Sequence, residues 1–228
     1  MVGRILLAAC LTASPLAAFA DTTVLAHEGG VREGKTWRES YATYSSNGRI
    51  RVDVTSDGDS SPGMSFLFLR QPDRLYLVQG DSVSLLDRAK LDALEAQSGT
   101  PAKEAAPRLK SLKSHRTAQG FACSDFDLER DGQPIRHLCL APAKSLKLSP
   151  AFVADMRDMQ SLLTRFATAM ARAQGKPSDA FNLYTLAEGY PVRAWETTNG
   201  ATTWDSQLLS VKEGAVSPEL FKEPNTPQ

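Results

Sequence analysis

The residues best suited to chemistry in this sequence are its few histidines and cysteines, and their spacing matches no catalytic or metal site. His27, His115 and His137 lie on distant segments, and none falls in a metal-ligand spacing such as H-E-x-x-H. The sequence also lacks a G-x-S-x-G nucleophile elbow and a glycine-rich phosphate loop. We therefore expect no catalysis, no metal site and no cofactor. Cys123 and Cys139 are better explained as a disulfide than as nucleophiles.

The two cysteines lie on neighbouring segments that alternate like the strands of a β-hairpin. A two-residue turn at Asp131-Gly132 would put Cys123 and Cys139 on opposite faces of the ribbon. A three-residue loop that starts at Arg130 would set them directly opposite each other on one face. Only this second register permits a bridge, because bridged Cα atoms must lie within about 7 Å, so we predict it.

The predicted register has two further consequences. It pairs Glu129 with Gln133, and it makes Asp125 and His137 cross-strand neighbours on the outer face of the sheet. A bridge within this hairpin would stabilise the fold by about 3 kcal/mol in the chain-entropy treatment.

The first 20 residues have the features of a secretory signal peptide. A positive start precedes an apolar run, and Ala18-Phe19-Ala20 matches the small-x-small cleavage pattern. The alternative is a lipobox at 7–10, which would make Cys10 a lipidated N-terminus. We prefer cleavage after Ala20, which leaves 21–228 as a single exported domain in an oxidising compartment.

The remaining chain gives no reason to expect nucleic acid or an anionic membrane as a partner. The leader contains one arginine and no acidic residue, so 25 basic residues face 26 acidic residues in the rest of the sequence. No second apolar run approaches the ~20 residues of a membrane span, so we expect no integral membrane segment after cleavage.

One long amphipathic helix dominates the second half of the sequence. Ser149 is a suitable N-cap, Pro150 suits the first helical position, and Gly175 suits the end of the helix. Apolar residues recur at steps of three and four and form one continuous stripe: Phe152, Met156, Met159, Leu163, Phe166 and Met170. A stripe of this length requires a broad apolar surface to cover it.

Most of the remaining sequence consists of short strands joined by hairpin-length turns. Asn47-Gly48 and Asn199-Gly200 are turn signals, and the alternation of Ile50, Val52 and Val54 predicts that these three side chains face the core. A short helix capped by Asp87 is predicted over 88–97. Sequential hairpins predict an α+β fold: a curved antiparallel sheet of about ten strands, an incomplete β-barrel, wrapped around the long helix.

Several of these features together resemble a family of proteobacterial periplasmic proteins. They are the leader, the strand meander, the C-x-x-F…D-G…C hairpin, the capped helix, Gly189-Tyr190-Pro191-Val192-Arg193 and the closing Pro218-Glu219-Leu220-Phe221 segment. Members of that family look like the lipoprotein-carrier superfamily with the LolA/LolB-like fold. The resemblance implies an incomplete barrel with a hydrophobic cavity, and it supplies no catalytic residues.

The expected function is that of a periplasmic binding or carrier module for acyl chains or apolar protein segments. The expected partner is a lipid, a lipoprotein acyl chain or another envelope protein. The residues predicted to line the cavity are Phe66, Phe68, Met156, Met159, Leu163, Phe166 and Met170. The alternative is an envelope sensor or protein-interaction domain in which these side chains fill the core. We expect Leu220 and Phe221 to close one end of that core.

Overall fold

The described residues are built on one antiparallel sheet of eleven strands. The computed structural model describes residues 21–32, 34–98, 107–176, 178, 180–186 and 189–225, so the predicted leader and Cys10 lie outside the described residues. The strands are β1 (Thr22–Arg32), β2 (Lys35–Ser46), β3 (Arg49–Ser56), β4 (Met64–Leu69), β5 (Arg74–Gln79), β6 (Ser82–Asp87), β7 (Arg108–Ala118), β8 (Phe121–Arg130), β9 (Gln133–Pro142), β10 (Gly189–Thr198) and β11 (Ala201–Glu213).

The order of the strands makes the sheet an open one. It runs β6-β5-β4-β3-β2-β1-β11-β10-β9-β8-β7, so the first and last strands of the chain are neighbours in the middle. In the described part of the chain, the edge strands β6 and β7 do not pair with each other. The α+β class and the unclosed antiparallel sheet that we predicted are therefore confirmed.

Tight turns explain why consecutive strands pair. The two central residues of Asn47-Gly48, Gln119-Gly120, Asp131-Gly132 and Asn199-Gly200 all have positive φ, as type I′ hairpin turns require. A different glycine explains how β1 approaches β11. A Cβ at Gly30 would overlap the carbonyl oxygen of Thr203, so only glycine allows these two strands to lie this close.

The hairpin of β8 and β9 contains the predicted disulfide but not the predicted register. Cys123 and Cys139 are bonded, with their Cα atoms 5.4 Å apart. The three-residue loop is wrong, because Arg130 pairs with Gln133 across a two-residue turn. Ile135 is an extra, unpaired residue that shifts the rest of the ladder by one.

This bulge reconciles the short turn with the disulfide. Cys139 lies opposite Asp125, which makes Cys123 its diagonal neighbour on the same face. The predicted Asp125–His137 pair is also wrong. His137 pairs with Asp127 instead, and its Nδ1 lies 2.7 Å from Asp127 Oδ1.

In the part of the chain that the structure describes, two helices of more than one turn cover one face of the sheet: α1 (Arg88–Gln97) and α2 (Pro150–Ala173). A third, α3 (Leu183–Leu186), is a single turn. The predicted caps are confirmed, because Asp87 accepts a hydrogen bond from Lys90 N and Ser149 accepts one from Phe152 N. In the described residues, no helix combines the length and hydropathy that a membrane crossing requires.

The core lies between α2 and the face of the sheet that the helices cover, which we call the helix-covered face. Ile50, Val52 and Val54 on β3 point into it, as their alternation predicted. The buried side of α2 is rotated from the predicted stripe: Leu162 and Ala169 are buried, while Met170 is 38% exposed. The reason is α1, which also packs against α2 and buries its own Leu91.

Residues 216–221, which we call the C-terminal segment, lie on the opposite, outer face of the sheet. A 3₁₀ turn, Pro218–Phe221, buries Phe221 against Leu67, Leu69 and Tyr76, which point away from α2. The expectation that Leu220 and Phe221 close one end of the core is therefore wrong. The outer face of β4 and β5 is itself apolar, and the C-terminal segment covers it.

Candidate functional site

A groove of about 500 Å³ lies between α2 and the helix-covered face. Most of its walls are apolar, and polar side chains are confined to a minority of positions. The apolar wall residues are Ala26, Val52, Phe66, Leu138, Met156, Met159, Leu163, Ala167, Ala180, Phe181, Leu183, Tyr184, Tyr190, Pro191, Ala194, Trp204 and Leu208. The polar ones are Glu28, Tyr41, Thr43, Arg136, Gln160, Thr164 and Ser206.

Four of the seven residues predicted to line a cavity lie on the walls of this groove. They are Phe66, Met156, Met159 and Leu163. The other three do not line it. Phe68 is fully enclosed in the core, Phe166 packs half-buried against that core, and Met170 faces solvent.

Two tyrosines at the start of β10 and in α3 form one side of the groove. The rings of Tyr184 and Tyr190 lie 5.9 Å apart, and Phe152 of α2 packs on Tyr190 at 6.1 Å. Burial raises the pKa of Tyr190 to about 12 and that of Tyr184 well above its usual value. Both phenols therefore stay neutral, and this part of the groove carries no charge.

The groove becomes polar toward the turns that end β1, β8 and β10. There the Arg136 guanidinium is bonded to Glu196, with Nε 2.9 Å from Oε1. The same guanidinium lies over the ring of Trp204 at 4.2 Å and over that of Phe181 at 5.2 Å. Because its charge is paired with Glu196 and two aromatic rings lie against its guanidinium, Arg136 is held in place.

Glu28 is the other charged side chain on the groove wall. It lies half-buried on β1, opposite Glu39 of β2 and beside Tyr41. Burial raises the pKa of Glu28, and a hydrogen bond with Trp204 and the charge of Arg136 oppose that shift only partly. The hydroxyl of Tyr41 donates to Glu39 Oε2 at 2.8 Å. Among the described residues, the carboxyl of Glu28 forms no ion pair, and the nearby Arg136 is itself bonded to Glu196.

An ion pair fixes α2, and with it one wall of the groove. Asp155 is buried on α2 with its carboxyl 2% exposed, and Arg70, just after β4, reaches it with Nη2 2.9 Å from Oδ1. Arg70 also donates to Asp158 from Nε and Nη2, at 3.1 and 2.9 Å. Burial raises the pKa of Asp155, and Arg70 opposes this shift.

A second set of contacts holds α2 against α1. Arg165 donates to Glu95 at 2.8 Å and to Asp92 at 2.6 Å. The hydrogen bonds with Glu95 lower the pKa of that carboxyl. The helix that forms the wall is therefore tied both to the sheet and to its neighbouring helix.

Two of the three histidines, His115 and His137, form separate pairs, and neither lines the groove. His115 Nδ1 lies 2.9 Å from Ser124 Oγ on the exposed surface of β7 and β8, and His137 is paired with Asp127. The described residues contain no group of three potential metal ligands. The groove offers apolar walls and a few hydrogen-bonding groups, which are suited to binding a ligand.

The chain is similar to several solved structures of other proteins. No protein-family model matches the sequence, and no curated protein matches it. The structure of MucB is similar with a TM-score of 0.42 and 9% identity, over 91% of this chain and 58% of MucB. The MucA/MucB complex of Pseudomonas aeruginosa gives a TM-score of 0.40 and 10% identity, over 89% of this chain and 56% of the matched chain.

A LolA superfamily protein from Nitrosomonas europaea is similar over 91% of both chains, with a TM-score of 0.34 and 9% identity. The similar solved structures therefore include the superfamily that the sequence resembles. This chain spans less than two thirds of the length of MucB. At these scores the similarities carry no argument about function, and the proposal below rests on the groove.

Sequence reasoning missed the polar end of the groove. A signal for Glu28 was present, because Val24, Ala26 and Glu28 alternate along β1 and must share one face. The same signal exists for Arg136, which alternates with Leu138 and Leu140 along β9, but its contacts with Glu196, Trp204 and Phe181 join distant segments and leave no local signal. The contribution of residues 180–184 was also missed, since that segment has no regular pattern.

Proposed function

We propose that this protein is an exported binding or carrier module that holds an apolar chain in the groove between α2 and the sheet, without catalysis. The groove itself supports this proposal most directly. Its volume of about 500 Å³ falls in the range of roughly 300–1,000 Å³ that is typical of sites for small ligands. A filled core, which the sensor alternative assumes, would leave no such space beside Met156, Met159 and Leu163.

The proposed ligand is an acyl or alkyl chain. Burying each methylene contributes about 0.8 kcal/mol, so ten of them contribute about 8 kcal/mol before the costs of association. Those costs amount to several kcal/mol. We therefore expect dissociation constants of micromolar or weaker for a single ten-carbon chain, which suits a carrier that must release its cargo.

The proposed location is the periplasm. It rests on the sequence-based assignment of residues 1–20 to a cleaved signal peptide and of 21–228 to one domain. The disulfide between Cys123 and Cys139 supports export, because such bridges persist in oxidising compartments.

The test is to fill the groove and measure uptake of the apolar dye 1-N-phenylnaphthylamine by fluorescence. Ala167 is an exposed residue of α2 at the groove wall, so Ala167→Trp should block the groove without disturbing the core. Ala89, an exposed residue of α1 away from the groove, provides the matched control Ala89→Trp. We expect tenfold or greater loss of dye affinity in the first variant and none in the second.

Equal binding by wild type and Ala167→Trp would exclude the groove as the site. A photo-cross-linking amino acid at Ala167 then separates carriage from sensing in cells. A lipid adduct supports carriage, whereas a defined envelope protein as the sole adduct would replace the carrier proposal by the interaction-domain alternative.

A further inference from the structure

The polar end of the groove has an unequal distribution of charge. Its two charged wall residues are Glu28 and Arg136. Arg136 is already paired with Glu196 and covered by two aromatic rings. Glu28 forms no ion pair with any described residue, and Glu39 lies directly opposite it on β2. The end of the groove therefore has an excess of negative charge.

We infer that the groove selects a chain whose polar end is cationic, such as an alkyl ammonium, and discriminates against a chain that ends in a carboxylate. This inference rests on the proposed function and specifies the ligand that the groove takes. An ammonium beside Glu28 would supply the missing counter-charge and donate hydrogen bonds to its carboxyl. A carboxylate would face Glu28 and Glu39 and would obtain no cation, because Arg136 is occupied.

The neighbouring groups support the same choice. The hydroxyl of Tyr41 donates to Glu39, which leaves it unable to donate to a ligand anion at the same time. Ser206 and Thr43, also on this wall, are neutral and serve either kind of head group. Burial raises the pKa of Glu28 by more than the charge of Arg136 lowers it, so Arg136 does not compensate for the burial of this carboxyl.

Three probes with the same ten-carbon chain test the inference: decylammonium, decanol and decanoate, titrated calorimetrically at pH 7.5. We expect decylammonium to bind about tenfold more tightly than decanoate, a ratio that corresponds to about 1.4 kcal/mol. In Glu28→Gln the ratio should fall to about one. Decanol should still bind to that variant, because its alkyl chain contacts the apolar walls, and its binding shows that the groove is intact.

Glu213→Gln is the matched control, because Glu213 is exposed at the far end of β11 and its replacement changes the net charge equally. That variant should keep the preference for decylammonium. Equal or tighter binding of decanoate to the wild type, or an unchanged ratio in Glu28→Gln, would overturn the inference while leaving the proposed function standing. Failure of all three probes to bind would overturn both.

Discussion

The ion pair that ties α2 to the sheet leads to a prediction about stability. Replacing Arg70 by Met removes the positive charge next to the Asp155 carboxyl, which is 2% exposed and would remain buried without compensation. Removing one partner of a buried pair typically costs about 3–5 kcal/mol. The side chain of Arg70 is 37% exposed, so water can partly replace it. We therefore expect a loss of about 3 kcal/mol in the free energy of unfolding.

Two companion variants identify the cause of the loss. Arg70→Met combined with Asp155→Asn should recover most of it, because a neutral amide needs no counter-charge. Asp158→Ala alone should cost less than about 1 kcal/mol, since Asp158 is 47% exposed. Urea unfolding followed by tryptophan fluorescence measures each value.

The pH dependence has a defined sign. Burial raises the pKa of folded Asp155 above its unfolded value, so its favourable contribution is complete below the unfolded pKa and is lost as the pH rises through the folded pKa. Without Arg70 this loss becomes larger, so the deficit of Arg70→Met should shrink as the pH falls from 7 toward 4. A variant as stable as the wild type at pH 7, or a double variant no better than the single one, would refute the assigned role of Arg70.

The remaining predictions concern other parts of the fold. Replacing Cys123 and Cys139 by serine should lower the free energy of unfolding by about 3 kcal/mol, and a reducing agent should have the same effect on the wild type only. Phe221→Ala should lower the free energy of unfolding by about 3 kcal/mol. It should also increase binding of a hydrophobic dye on the outer face near Tyr76, and unchanged dye binding would contradict the covering role of the C-terminal segment. Ser149→Ala removes the N-cap of α2 and should lower the free energy of unfolding, measured by thermal denaturation, by about 1 kcal/mol. No change would show that the cap is dispensable.

Local signals in the sequence were sufficient for most of the architecture. Asn47-Gly48 and Asn199-Gly200 determine their turns because only a few residue types adopt positive φ at low cost, and Ser149 caps its helix through its own hydroxyl. These features depend on adjacent residues. Strand pairing through short turns then follows almost automatically.

Features that depend on distant contacts were not predictable in the same way. The bulge at Ile135 leaves no mark in the alternation of β9, yet it changes every pair beyond it. The rotation of α2 depends on α1, more than 50 residues earlier in the chain. The amphipathic stripe alone therefore placed Met170 inward, whereas the structure leaves it exposed.

The candidate site was also only partly predictable from the sequence. Four wall residues, Met156 and Met159 among them, were identified because apolar periodicity indicates the general side of a helix that is buried. The groove's polar end brings together side chains from β1, β2, β9 and β11, whose neighbours in the sheet are set by the pairing of the first and last strands. That pairing has no local signal.

Methionine methyl groups provide the most direct test of the groove as a binding site. The described chain contains four methionines, of which Met156 and Met159 line the groove while Met64 and Met170 do not. Titration of ¹³C-methyl-labelled protein with decanol should shift the resonances of Met156 and Met159 and leave those of Met64 and Met170 in place. Shifts confined to Met64 or Met170, or no shift at a decanol concentration that displaces the bound dye, would contradict a ligand site between α2 and the sheet.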